Sequence, residues 1–197
     1  MTEMPRFKTS VLSYSKRSLP RPITVAWPAM PRSFDLSVES PASVEQVHSA
    51  FGDENYWLAR LANYGAGAAT LDSLIIDTDG AVTVATTVNL FGDGLPRLIT
   101  QLHGGDLKTV LNETWSSIGG GRVRGKVSVA VPGVPLSGFG AGLLAPARNG
   151  SRLKYTATVE VKVPLVARVI ESFIGGQLAE PIAAIQRFTT AWITEHA

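Results

Sequence analysis

The chain has 197 residues, 45% hydrophobic and 17% charged, enough for one domain with a sizeable core and too apolar for a disordered protein. It has no cysteine, which excludes a disulfide scaffold, a thiolate metal site and a cysteine nucleophile and points to a reducing, cytoplasmic setting. The net charge of +2 conceals an asymmetry: residues 1–29 carry five basic side chains (Arg6, Lys8, Lys16, Arg17, Arg21) against Glu3, so the remaining 13 basic and 15 acidic groups set the rest at −2, which does not support a nucleic-acid-binding body.

Residues 1–31 contain Pro5, Pro20, Pro22, Pro28 and Pro31 and no sustained apolar period, so they read as a disordered basic extension. Their best apolar run, ITVAWPAM, is too short and broken for a secretory core or a membrane span, and no stable membrane insertion is expected. Met30 is the favoured alternative start, giving a chain that opens MPRSFDLSVES. The folded domain is expected over residues 32–197.

In SFDLSVES, Phe34, Leu36 and Val38 alternate with polar neighbours, the mark of a strand, and Pro41 ends it. Ser43 caps a helix over SVEQVHSAF, with Gln46 completing a capping box and Val44, Val47 and Phe51 on one face. Asp53 caps a second helix, DENYWLARLANYG, whose inward residues are expected to be Trp57, Leu58, Leu61 and Tyr64, with Gly65 closing it.

Six strands follow. ATLDSLIIDTDG and AVTVATTVNLFGDG flank a hairpin turn at Thr78-Asp79-Gly80. LKTVLNETWSSI passes through three glycines into RVRGKVSVAVPG, and PLSGFGAGLLAPA leads through RNGS into RLKYTATVEVKV. The last alternates most regularly, Leu153, Tyr155, Ala157, Val159, Val161 and Val163 on one face and charged or hydroxyl residues on the other, so the sheet is antiparallel with one wet face. Between the third and fourth strands, LPRLITQL places Leu95, Leu98, Ile99 and Leu102 on one side of a short helix, either a lid or a plug.

The C-terminal segment carries Val166, Ile170, Phe173, Ile174, Leu178, Ile182, Ile185, Phe188 and Trp192 at helical spacing, a stripe that can cover the sheet. Within it, FIGGQLAEP opposes the pattern, because a helix-interior Gly costs about 1 kcal/mol relative to Ala and Pro about 3. Gly175 and Gly176 fall on opposite flanks of the stripe, so close packing does not account for the pair, and the stretch reads as a kink that lets a long helix follow a curved sheet.

This order, with VPLVARVIESFIGGQL entering the last helix, the ETW of strand four and the glycine-rich sixth strand, resembles the START-like, Bet v 1-like (SRPBCC) superfamily, and within it an uncharacterised actinobacterial branch of polyketide-cyclase and lipid-transport relatives. The resemblance covers Arg32 to about His196. It implies an α+β helix-grip fold: a curved antiparallel sheet of about seven strands wrapped on a long C-terminal helix, with two short helices after strand one. It also implies a deep cavity between sheet and helix for a hydrophobic small molecule, lipid or polyketide-like.

The residues expected to line that cavity are Leu98 and Leu102 from the short helix, Leu111, Trp115, Tyr155 and Ala157 from the strands, and Ile170, Phe173, Ile174 and Leu178 from the last helix. The small residues Gly138, Gly140, Ala141 and Gly142 suit a strand that borders a cavity or bends. If Leu107, Leu111 and Trp115 face inward, Thr109 and Glu113 share their face, so Glu113 is a candidate desolvated carboxylate.

A cyclase- or dehydratase-type enzyme using Glu113 and Tyr155 is therefore one alternative to a non-catalytic carrier, and a structural domain with a filled core is another. The plainer reading of Glu113 pairs it with a cation such as Arg97 or Arg124. His48, His103 and His196 are far apart in sequence, so neither metal nor cofactor is expected. GGRVRGKV lacks the Ser/Thr and the helix of a phosphate loop, GFGAGLL lacks the context of a dinucleotide fingerprint, and no nucleophile elbow occurs.

Overall fold

The computed structural model describes residues 31–65, 67–90, 107–163 and 166–197. The basic extension and the LPRLITQL segment, with Leu98 and Leu102, lie outside them. Strand β1 (Arg32–Ser40) leads into helices α1 (Val44–Phe51) and α2 (Glu54–Ala62). Strands β2 (Ala69–Ile76), β3 (Val82–Leu90), β4 (Leu107–Ser117), β5 (Val123–Ala130), β6 (Leu136–Ala147) and β7 (Gly150–Val161) follow, and helices α3 (Ala167–Gly176) and α4 (Ala179–Glu195) close the chain.

The helix starts follow the capping chemistry. Ser43 accepts from the Gln46 N–H while the Gln46 side chain accepts from the Ser43 N–H, and Asp53 accepts from the Asn55 N–H. On α2 the buried face is Tyr56, Trp57 and Leu61; Leu58 and Tyr64, expected inside, are exposed. The helix ends at Ala62, so Tyr64 leaves the helical phase, and Tyr56 takes the inward place, its hydroxyl 2.8 Å from Thr189 Oγ1 of α4.

All seven strands form one antiparallel sheet in the order β1-β7-β6-β5-β4-β3-β2. The two strands nearest the termini of the sheet's path, β1 and β2, are its edges, and α3 and α4 pack against β1. The β2–β3 turn is closed by Gly80, at φ 79°, whose N–H donates to Asp77 O at 2.9 Å. The fold is the expected helix grip.

Two apolar clusters hold the helices to the sheet. One gathers Val47, Phe51, Tyr56, Trp57, Trp115 and Ile193 around α1 and α2, and the other gathers Leu107, Val131, Val159, Val161, Ala167 and Ile170 around α3. Burying a side chain of this size contributes roughly 1.5–3 kcal/mol, so these clusters supply most of the drive that folds helices onto sheet.

The C-terminal stripe is divided. The helix stops at Gly176, Gln177 and Leu178 join the two parts, and Pro181 falls in the first turn of α4, where its missing N–H would have lacked a helical partner in any case. The expected kink is thus a break between two helices. Close packing accounts for one glycine and not for the pair: a Cβ on Gly175 would lie 1.9 Å from Phe34 Cζ, whereas one on Gly176 would meet nothing within 4 Å.

Candidate functional site

Between the concave face of the sheet and the α3–α4 pair lies a cavity of about 290 Å³, at the lower end of the roughly 300–1,000 Å³ usual for small-molecule sites. Its floor follows from strand register. One row across the sheet runs Leu36, Tyr155, Gly142, Gly125, Trp115 and Val82. The next runs Phe34, Ala157, Gly140, Val127, Glu113 and Val84.

The glycines in these rows are seats for rings. A Cβ on Gly125 would lie 2.3 Å from Trp115 Cζ3, one on Gly142 3.1 Å from Trp115 Cη2 and 3.3 Å from Tyr155 Cδ2, and one on Gly140 1.7 Å from the Tyr155 hydroxyl. The indole of Trp115 therefore lies over β5 and reaches β6, and the phenol of Tyr155 reaches the neighbouring row at Gly140. The glycine-rich β6 borders the cavity, but two of its glycines make room for the protein's own aromatic rings.

One end of the apolar cavity is polar. The cross-strand alternation of β4 turns Glu113 inward, where it is 6% exposed. Arg60 Nη2 of α2 donates to Glu113 Oε1 at 3.1 Å, and Trp115 Nε1 donates to Glu113 Oε2 at 3.1 Å. The Arg60 guanidinium also lies over the Trp57 ring, 4.7 Å from its centroid. Burial is the largest influence and disfavours the Arg60 cation, but Glu113, Tyr56 and Tyr64 together outweigh it and hold the guanidinium above its ordinary pKa. The pair is a fixed, formally neutral unit in the cavity wall.

Two further polar groups line the same space. Burial, and then the nearby Glu113 carboxylate, push the Tyr155 phenol up to about 12, with Arg60 opposing, so at ordinary pH it is a neutral hydroxyl. Its hydroxyl holds no hydrogen bond among the described residues. Gln186 of α4 is 4% exposed, and its side-chain nitrogen likewise has no partner among them. The Tyr155 hydroxyl can donate to a guest, whereas the Gln186 nitrogen is closed off; as a base, Glu113 is encumbered by two partners.

Of the residues predicted from sequence, Leu111, Glu113, Trp115, Tyr155, Ala157, Ile174 and Leu178 line the cavity. Ile170 does not: it is buried in the cluster around α3. Phe173 does not either: it is 42% exposed, because the buried face of α3 runs through Ala167, Ile170, Glu171 and Gly175 and Phe173 falls outside it. Leu98 and Leu102 lie outside the described residues. Glu113 has a cationic partner as the plainer reading held: it is Arg60 and, among the described residues, not Arg124, while Arg97 lies outside them.

Arg60 and Gln186 were not foreseen. Gln186 had a signal: it follows Ile182 by four residues, a polar amide at an inward position of an apolar stripe. Arg60 had none, since its partner is 53 residues away.

Residues 35–193 match the family described as "Protein of unknown function (DUF2505)". Uncharacterised proteins of Mycobacterium tuberculosis and Mycobacterium bovis are each 38% identical to this chain over 173 residues, covering 85% of it and 99% of their own length. Among solved structures, TTHA0849 from Thermus thermophilus superimposes with a TM-score of 0.52 at 15% identity, over 84% of this chain and 99% of that one. Ara h 8.0201 gives 0.51 at 12% identity over 84% and 99%. Norcoclaurine synthase from Thalictrum flavum, in complex with dopamine and hydroxybenzaldehyde, gives 0.50 at 16% over 94% and 99%. The chain belongs to the DUF2505 family and carries the helix-grip fold of START-like and Bet v 1-like proteins.

Proposed function

We propose that this protein binds a small, largely apolar molecule in the cavity between sheet and α4, as a carrier or sensor that does not transform it. The observation that carries this reading is an apolar cavity that the described residues leave unfilled, walled by Leu111, Val129, Leu153, Ile174, Leu178 and Ile182. Protein interiors normally close such space, so a void of this size is a feature with a use. A volume of about 290 Å³ suits a one- or two-ring molecule or a short chain better than a two-tailed lipid.

Native mass spectrometry of the full chain from its own host, followed by denaturing extraction, tests the proposal. A stoichiometric apolar adduct is expected. A clean protein mass that persists after incubation with host lipid extract overturns it.

A second reading, an enzyme of cyclase or dehydratase type, draws on the placing of Glu113 and the unbonded Tyr155 hydroxyl in one cavity, and on norcoclaurine synthase sharing the fold. The ion pair to Arg60 weighs against it. Recovery of the extracted molecule unchanged after prolonged incubation with fresh protein supports the carrier; its conversion, lost in Glu113→Gln with binding retained, supports the enzyme.

A further inference from the structure

We infer that the Tyr155 phenol sets how long a guest the cavity takes, and that the bare backbone of Gly140 and Gly142 is the seat that keeps this ring out of the guest's space. This rests on the binding reading above. Tyr155 stands opposite Gly142 on β6 and lines the cavity. Its ring runs on to the next row: a Cβ on Gly142 would lie 3.3 Å from Cδ2, and one on Gly140 would fall on Cζ and the hydroxyl. The phenol therefore lies along β6, in space that any side chain at position 140 would occupy. Its hydroxyl holds no hydrogen bond among the described residues, so the shape of the seat is what keeps it there.

Lifted from the seat, the ring has one direction open. Beneath it is the β6 backbone, and Leu36 of β1 is its cross-strand neighbour on one flank. On the other flank stands the Trp115 indole, whose Cη2 would lie 3.1 Å from the same Cβ on Gly142. That indole is itself fixed: Nε1 donates to Glu113 at 3.1 Å, and the ring packs on Phe51 with centroids 4.8 Å apart. An added methyl in a packed wall forces side chains from their places, and the nearest free volume here is the cavity. At about 290 Å³ the cavity has little room for a phenol and a guest together.

The straight-chain primary alcohols from hexanol to dodecanol test this, with the full chain titrated into each in a calorimeter. Affinity for the wild type should climb roughly fourfold per methylene and level off at the length that fills the cavity. Tyr155→Ala should move that levelling point to longer chains, and Tyr155→Phe, which keeps the ring, should leave it in place. Gly140→Ala should move it to shorter chains, and Gly140→Ala combined with Tyr155→Ala should behave as Tyr155→Ala alone. A levelling point unmoved in Tyr155→Ala, or a shortening by Gly140→Ala that persists without the ring, overturns the assignment and leaves the cavity reading standing. Binding of no alcohol by either the wild type or Tyr155→Ala overturns both. Should Gly140→Ala fail to fold, the two Tyr155 variants decide the matter by themselves.

Discussion

Gly175 of α3 faces the ring of Phe34 on β1 so closely that a methyl group at its Cα would lie 1.9 Å from the ring carbon Cζ. Its neighbour Gly176 has open space around the same position. Gly176→Ala should therefore stabilise the protein by up to about 1 kcal/mol through helix propensity alone. Gly175→Ala should destabilise it, since overpacking costs roughly 1–3 kcal/mol and outweighs the same gain. In a Phe34→Ala background the sign at Gly175 should reverse; urea melts of the four variants decide it.

The Arg60–Glu113 pair is nearly buried, so removing one partner strands the other. Glu113→Leu should cost about 3–5 kcal/mol, and Arg60→Met with Glu113→Leu should recover most of that loss. A double-mutant cycle by denaturant unfolding measures the coupling. Losses that simply add would mean that the pair is too well solvated to matter.

Gln186→Leu should stabilise the unliganded protein by about 1 kcal/mol, because the substitution removes a buried amide nitrogen without a partner. Differential scanning calorimetry of the ligand-free protein provides the readout. A lower melting temperature would show that the amide is satisfied in solution.

The raised Tyr155 pKa gives a prediction at alkaline pH. The unfolded phenol ionises near 10 and the folded one only at about 12, so between these values the unfolded state holds fewer protons and stability falls as pH rises. Below pH 10 the group contributes no slope. Tyr155→Phe should reduce the decline in melting temperature across that window, while the residual slope includes Tyr56, whose pKa burial also raises.

Much of this architecture is local and therefore legible in the sequence. The Ser43–Gln46 box, the Asp79-Gly80 turn and the alternation of β7 each need only a few adjacent residues. Glu113 could be placed inward because it shares a period with Leu107 and Trp115. The failures lie where distant parts meet. Gly175 owes its identity to Phe34 and Glu113 owes its partner to α2, and neither relation leaves a periodic trace. The inward face of α2 was misread because a helix of nine residues is too short for its period to fix which tyrosine turns in.

The break at Gln177–Leu178 also divides the molecule's mechanical labour. Trp192 and Ile193 fasten the far end of α4 to the cluster around α1 and α2, while Ala167 and Ile170 fasten α3 to the opposite cluster. Ile174 and Leu178, which bracket the joint, are wall residues of the cavity. The cavity wall thus spans the joint, so the angle between the two helices, and not only the identity of the side chains, sets the space for a guest.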